Sequence, residues 1–292
     1  MLLLLLHTAT AFTPLASAVH HLPIAPRVPT VRAVALPTLP VLAAACTVPT
    51  CLGFWKSEYG VSYAYGAATA TVGALVLRAA PNRLAAAHAL CVLCYGVRLN
   101  AFLLWRELNI PRFQKFRETI EERAKASGGR LKRTPFVLSC AFLYFCMTAP
   151  LLITSSLAPP VTFLPLVLSV VLAWAGFAIA AYGDLYKSMA KAKLGDDVLV
   201  TTNIFRFLRH PNYTGEQILW SANLMSAVAA TCYAWPTGLK SAAVWLLGSV
   251  VGWAGIMFVL AKATTSLEKK QAERYDAYSK WQGSSWGGIS LN

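Results

Sequence analysis

The chain has little charge, and less acid than base. Only 13% of its 292 residues are charged, while 57% are hydrophobic. A water-soluble domain carries about 25% charged residues, so the shortfall excludes an ordinary soluble enzyme, a disordered chain and a coiled coil. Acids number 12 against 26 Lys and Arg, and the first acid is Glu58. Histidine is scarce: beyond residue 21 only His88 and His210 remain, too few for a His-rich di-iron site. The alternating pattern of membrane β-strands is missing, as are a Gly-rich nucleotide loop and any internal repeat. Seven Cys stand at 46, 51, 91, 94, 140, 146 and 232, and the last five lie in apolar runs. Buried small apolar residues are therefore expected rather than a disulfide framework. Cys91 and Cys94 form a C-x-x-C inside such a run without partners at metal spacing, so no metal site is expected.

Long apolar runs are what the chain has instead. Six stretches, 61–80, 84–105, 135–157, 161–186, 217–235 and 241–262, are each about 19–26 residues long, and roughly 20 residues cross the hydrocarbon core. They predict an all-α polytopic membrane bundle of six to seven helices. Residues 33–54 are also apolar but contain Pro37, Pro40 and Pro49. Such a stretch is either transit sequence or an irregular first membrane segment. We take 1–54 as a targeting presequence and 55–292 as the membrane-embedded domain. The leader has a short apolar run at 2–6, an A-x-A-like site at Ala9-Thr10-Ala11, then Phe12 and an acid-free stretch. It resembles the bipartite plastid presequences of algae with complex plastids, which implies a plastid membrane, with the endoplasmic reticulum as the alternative.

Charge orients the bundle. Nine Lys/Arg lie between Arg106 and Thr134, and Lys187, Lys191, Lys193, Arg206 and Arg209 lie between the fourth and fifth spans. With Lys56 and the basic tail, six spans put all of these on one face, which the positive-inside rule assigns to the cytosol or stroma. The formal charge of +14 is thereby explained without nucleic acid, and the expected partners are membrane lipids and a lipidic small molecule.

Two constellations carry chemistry. The first is Arg209-His-Pro-Asn-Tyr-Thr-Gly-Glu216. Pro211 suits the first position of a helix. Asn212 and Glu216, four apart, then share a face with Trp220, and Tyr213 stands beside them. The helix begins at the basic face with unpaired N–H groups, preceded by Arg206, Arg209 and His210, an arrangement that suits a phosphate or pyrophosphate. A carboxylate opening an apolar span is costly unless it has a partner or a task, which makes Glu216 a candidate catalytic residue. The second constellation is Arg98, roughly 12 Å inside the second span. At that depth it either touches a cofactor or carbonyl oxygen, or forms a structural ion pair with Asp184, Glu216 or Glu58. Asn100 is expected in a helix–helix hydrogen bond. Glu118, Glu121 and Glu122 read as a solvated helix, and Glu268 as part of a surface helix.

The eight-residue string resembles the signature of membrane reductases with a steroid 5-alpha-reductase-type C-terminal domain. Tyr95-Gly-Val-Arg-Leu-Asn-Ala-Phe-Leu-Leu-Trp-Arg106 and the stretch from Leu267-Glu-Lys-Lys to Tyr278 resemble two further parts of that family's poorly characterised branch. The resemblance covers residues 60–286. It implies NADPH held in a cavity open to the basic face, with hydride transfer to an activated C=C bond of a sterol, isoprenoid or other lipid. It makes Glu216, Tyr213 and Arg98 the catalytic candidates. Arg209, His210, Asn212, Asp184, Lys191 and Arg206 become the cofactor-binding candidates. The chain departs from the pattern at Ala180, where the steroid enzymes commonly have Asn, at Asn203, where Gly is usual, and at Ser221-Ala-Asn223. A related string, Arg-His-Pro-x-Tyr-x-Gly, occurs in isoprenylcysteine carboxyl methyltransferases, so S-adenosylmethionine is the alternative cofactor. Those enzymes favour an Arg followed by paired Glu near the last helix, whereas here Glu268 is followed by Lys269 and Lys270. A catalytically inactive protein of the same fold is the third reading.

Overall fold

Close approach between helices rich in Gly and Ala sets the architecture. A Cβ at Gly73 would stand 2.7 Å from the backbone nitrogen of Leu93, and one at Gly176 would stand 2.5 Å from that of Leu219. These contacts pull together two of the tightest pairs in the bundle: α3 (Tyr63–Ala79) with α4 (Arg83–Asn109), and α7 (Leu164–Leu194) with α8 (Pro211–Ala234). A third pair joins α6 (Thr134–Ser155) and α9 (Lys240–Arg274). The computed structural model describes residues 36–126, 128–158, 160–195, 197–234 and 240–291. The Ala9-Thr10-Ala11 site and Phe12 lie outside the described residues.

The chain is an all-α polytopic membrane bundle. The helical stretches Ser57–Ala79, Arg83–Asn109, Arg130–Ser155, Leu164–Leu194 and Ala242–Arg274 are long and apolar enough to cross a bilayer. α8 is 24 residues long, but it carries Glu216, Gln217, Asn223 and Ser226, all buried, between α6, α7 and α9. Its polar groups are thus kept from lipid, and length rather than mean apolarity qualifies it as a rod of the bundle. Leu208 and Trp286 form a strand-like bridge.

Residues 39–55, which composition groups with the leader, also pack into the bundle. α1 (Leu39–Thr50) and α2 (Leu52–Trp55) form a short apolar stretch, and Leu42, Ala45 and Cys46 are buried in the core with Val72, Val76 and Leu152. The prolines do not prevent this. Pro40 lies in the first turn, where its missing N–H costs nothing, and Pro49 falls just before the break between α1 and α2.

All basic segments meet at one end. Arg133 donates to the Gly53 carbonyl at 3.3 Å, Lys56 lies 3.9 Å from Glu107, and Arg274 pairs with Asp197. At the other end Asn82 caps α4 through Ala85 N–H (2.8 Å) and donates to the Leu157 carbonyl at 3.1 Å. α7 and α9 run past the expected span ends at 186 and 262, to Leu194 and Arg274. Their projecting turns join α10 (Tyr278–Ser284) in a small cap built on Val200, Phe205, Tyr278 and Trp281.

The amphipathic α5 (Pro111–Ala126) lies on this basic end, and its acids are not simply solvated. Arg133 pairs with Glu121 at 2.9 and 3.1 Å, and the Ser57 N–H donates to the same carboxylate at 3.0 Å. Burial opposes ionisation of Glu121, but Arg133 and the Ser57 N–H outweigh it and hold the carboxyl below its ordinary range. Arg117 is buried between Glu58 (3.2 Å) and Glu107, which also accepts from Tyr63 at 2.7 Å. Glu58 therefore pairs with Arg117 and leaves Arg98 to another acid.

Candidate functional site

The antiparallel run of α4 and α8 brings their polar residues together in layers. In the layer nearer the basic end, Glu216 is only 7% exposed and lies among aromatic side chains of α3, α4, α6 and α8. The Tyr65 hydroxyl donates to it at 3.4 Å, and the Trp220 indole N–H donates to the Tyr65 oxygen at 2.5 Å. Tyr65 stacks on Tyr144, with centroids 5.5 Å apart, and Tyr144 is held by the carbonyls of Gly60 and Val61. Tyr95 meets Trp220 edge-on at 5.5 Å and lies beside Glu216. Its hydroxyl is fully buried and lies against Glu216 and Tyr65 without a well-aligned hydrogen bond to any of the described residues. A buried phenol with spare donor capacity is uncommon, because an unmade hydrogen bond costs about 1–3 kcal/mol.

Cations lie next to this carboxylate. Arg98 of α4 pairs with Asp184 of α7 and donates to the Ala180 carbonyl at 3.2 Å. Its other terminal nitrogen is buried without a partner among the described residues. Both readings of Arg98 thus have a physical basis: one nitrogen locks α4 to α7, and one is left over. Arg106 and Lys187 are further electrostatic neighbours of Asp184, and Lys191 neighbours Lys187. Tyr213 lies within the influence of Glu216, Arg106 and Asp184. Ala180, the departure from the steroid enzymes' Asn, is fully buried against Gly215 of α8. Asn212 starts α8 with its backbone against Gly183. Asn203 adopts φ +57°, the left-handed conformation that Asn tolerates where Gly is usual, and its side chain accepts from Ile204 N–H at 2.7 Å.

The basic residues just before α8 do not form one cradle. Arg206 is exposed on a 3-10 turn beside Phe207. Arg209 is engaged elsewhere: it donates to Glu268 at 2.9 Å, to the Gln282 carbonyl at 2.8 Å and to the Ser285 carbonyl. Glu268 accordingly belongs to the interior. His210 is 1% exposed, and its Nε2 lies 3.5 Å from Glu268 without a hydrogen bond among the described residues. Burial, with Lys187 and Arg209 nearby, pushes its pKa down to about 3, so the ring is neutral at physiological pH.

A second polar layer lies deeper between the same helices. His88 Nε2–H donates to Asn223 Oδ1 at 2.8 Å, and Asn223 Nδ2 donates to the Met147 carbonyl at 2.9 Å. This fixes the tautomer and leaves His88 Nδ1 facing the Thr154 hydroxyl at 3.1 Å. Asn223, a departure from the family pattern, is thus a hydrogen-bonding hub. Asn100 differs from expectation: its Oδ1 is buried against Gly66 and has no hydrogen-bond partner among the described residues.

Sequence reasoning missed Tyr65, Tyr95, Arg106 and Lys187 as members of the site. Tyr95 had a signal, since it stands three residues before Arg98 and so shares its helix face. Tyr65 had none, being one tyrosine among several at the start of its span.

The family model that matches the chain is described as a protein of unknown function (DUF1295), and the match spans residues 55–282. The chain belongs to this family. No curated protein and no solved structure matches it.

Proposed function

We propose that the chain is a membrane-bound, NADPH-dependent oxidoreductase, similar to the steroid 5-alpha-reductase-type enzymes, that reduces an activated C=C bond of a sterol, isoprenoid or other lipidic substrate. What supports it most is the inward-turned Glu216, held by Tyr65 and set beside the buried hydroxyl of Tyr95, whose own contacts are poorly aligned. The fit to NADPH rests on charge and open valences. Arg98, Arg106 and Lys187 gather near the carboxylate of Asp184, a cluster of cations that suits phosphates. The leftover nitrogen of Arg98 and the Nε2 of His210 are buried groups that a bound ligand would satisfy.

When bound, NADPH supplies the hydride. The remaining steps belong to the chain's own residues. The Tyr95 hydroxyl donates its hydrogen bond, and then its proton, to the carbonyl system conjugated with the double bond. Glu216 accepts from Tyr65, while the Trp220 N–H fixes the Tyr65 oxygen from the other side. That relay orients the Glu216 carboxylate, and the rings of Tyr65, Tyr144 and Trp220 keep water from it. Asp184 aims Arg98 and balances part of its charge. The acid-free leader supports a plastid membrane as the location.

The test is a paired titration of detergent-solubilised protein with NADPH and with S-adenosylmethionine, read as thermal stabilisation. NADPH at 100 times its Kd should stabilise the wild type by about 2.7 kcal/mol, and Glu216→Ala should abolish the response. Equal shifts in both proteins would overturn the role of Glu216. Stabilisation by S-adenosylmethionine alone would favour a lipid or prenyl methyltransferase. A response to neither from folded protein would favour an inactive relative.

A further inference from the structure

The first two turns of α8 carry Glu216 on one side and are bound to the end of the chain on another. Residues 285–291 cross this region as an extended segment. Trp286 N–H donates to the Phe207 carbonyl at 2.8 Å, and Arg209 N–H donates to the Trp286 carbonyl at 2.8 Å. One turn on, the buried Gln217 side chain reads the backbone of Ile289 in both directions: its amide donates to the carbonyl at 2.8 Å, and its oxygen accepts from the N–H at 2.9 Å. Thr265 of α9 makes the same reciprocal contact with Leu291, at 2.6 and 2.9 Å. Arg209 closes the near end on Gln282 and Ser285 while Glu268 neutralises it. The crossing is tight. Gly288 has φ +77°, and a Cβ there would stand 2.7 Å from the Gln217 side chain and 2.9 Å from Thr214.

We infer that residues 285–291 form a positioning strap for the candidate site, with Arg209 and Gln217 as its clamps, so that the chain's own C-terminal segment sets the rotation of the first turns of α8 and thereby the aim of Glu216. Thr214 and Gln217, three apart, share the strap side of the helix, while Asn212, Glu216 and Trp220 share the site side. Fixing one side fixes the other. Arg209 is then a positioning residue, since its hydrogen bonds run to the strap and to Glu268. The strap also explains why a long polar side chain follows Glu216 in a buried turn, where an aliphatic one would leave the Ile289 N–H and carbonyl unpaired. The positioning role rests on the cofactor reading above; the strap itself does not.

The experiment uses the full chain, a variant lacking residues 285–292, and Gln217→Ala, all in detergent. Amide hydrogen exchange of residues 208–217 is measured alongside NADPH affinity, with and without a synthetic peptide of residues 285–292. Removal of the strap should speed exchange in that segment and weaken NADPH binding about tenfold, the value of one or two hydrogen bonds in positioning. The peptide, supplied at about 1 mM to replace the lost effective concentration, should restore both, a rescue that general destabilisation would not give. Gln217→Ala keeps the tail and should show a smaller change in the same direction. Unchanged exchange after truncation would overturn the strap. Faster exchange with unchanged NADPH affinity would overturn its positioning role. If the wild type itself binds no NADPH, the cofactor reading fails, and the exchange data and peptide rescue still decide the strap.

Discussion

α4 and α8 carry two polar layers seven residues apart, His88 with Asn223 and Tyr95 with Glu216, a spacing of roughly 10 Å along each helix. Both layers are buried and both are rich in hydrogen-bonding atoms, but they differ in what is left over. In the deeper layer the imidazole nitrogens and the Asn223 amide all have partners, at 2.8–3.1 Å. In the layer nearer the basic end, the Tyr95 hydroxyl has only poorly aligned contacts with Glu216 and Tyr65, and one Arg98 nitrogen has no partner among the described residues. A filled network inside a bundle stabilises and orders it. An unfilled one costs stability unless something else completes it, and this is the physical ground for placing the chemistry at Glu216 rather than at His88. The distinction is one of accounting, since neither burial nor residue type separates the layers.

The comparison breaks most sharply if the two layers respond alike to mutation. Tyr95→Phe removes a hydroxyl whose contacts with Glu216 and Tyr65 are poorly aligned, so unfolding in detergent should shift by less than about 1 kcal/mol. Turnover, measured as NADPH oxidation with a lipidic enone, should fall about 10²–10⁴-fold, the usual value of a positioned proton donor. A large loss of stability would mean that the hydroxyl has a structural partner. Asn223→Leu should do the reverse. It leaves the His88 Nε2–H with only the Ser226 hydroxyl at 3.4 Å, at a cost of about 1–3 kcal/mol, while the protein that remains folded keeps its NADPH response. Combining it with His88→Leu should recover part of that loss, because the stranded imidazole goes too. Additive losses would show that the two side chains do not depend on each other.

The layers also differ in how far the sequence disclosed them. Five of the six expected spans, the basic end and the inward Glu216 were legible because apolar length and charge asymmetry act over whole segments, whereas the polar α8 falls short in apolarity. Arg98 and Asp184 were legible as misplaced charges, each needing a partner at its depth. Tyr95 was legible only through its spacing from Arg98, and Tyr65 was not, because a phenol is at home both in lipid and in a core, and only the packing of α3 against α4 decides which. Arg209, expected at a phosphate, is instead seen on Glu268 and two carbonyls for a related reason. A guanidinium before a helix suits an anion and suits a set of carbonyls equally well, and the choice depends on a tail some 76 residues later. The prolines of residues 37–49 suggested irregularity, but each falls where a helix can hold it, at a start or a break.

The smallest effect concerns His210, which stands between the site and the strap. Its surroundings come from three elements: Lys187 on α7, Arg209 in the preceding loop and Glu268 on α9. Glu268 would favour a protonated ring, but it is already paired with Arg209, and burial leads Lys187 and Arg209 in holding the pKa down to about 3. The unfolded chain has an ordinary imidazole near 6.5 and binds its proton first as the pH falls. Stability must therefore drop with acidification from about pH 6.5 toward pH 3, since the depressed group takes up its proton more readily when unfolded. Between pH 7 and pH 5 the loss from this residue should be about 2 kcal/mol. His210→Gln should flatten that part of the profile. A profile that His210→Gln leaves unchanged would assign the acid sensitivity to another group and place a hydrogen-bond partner on Nε2.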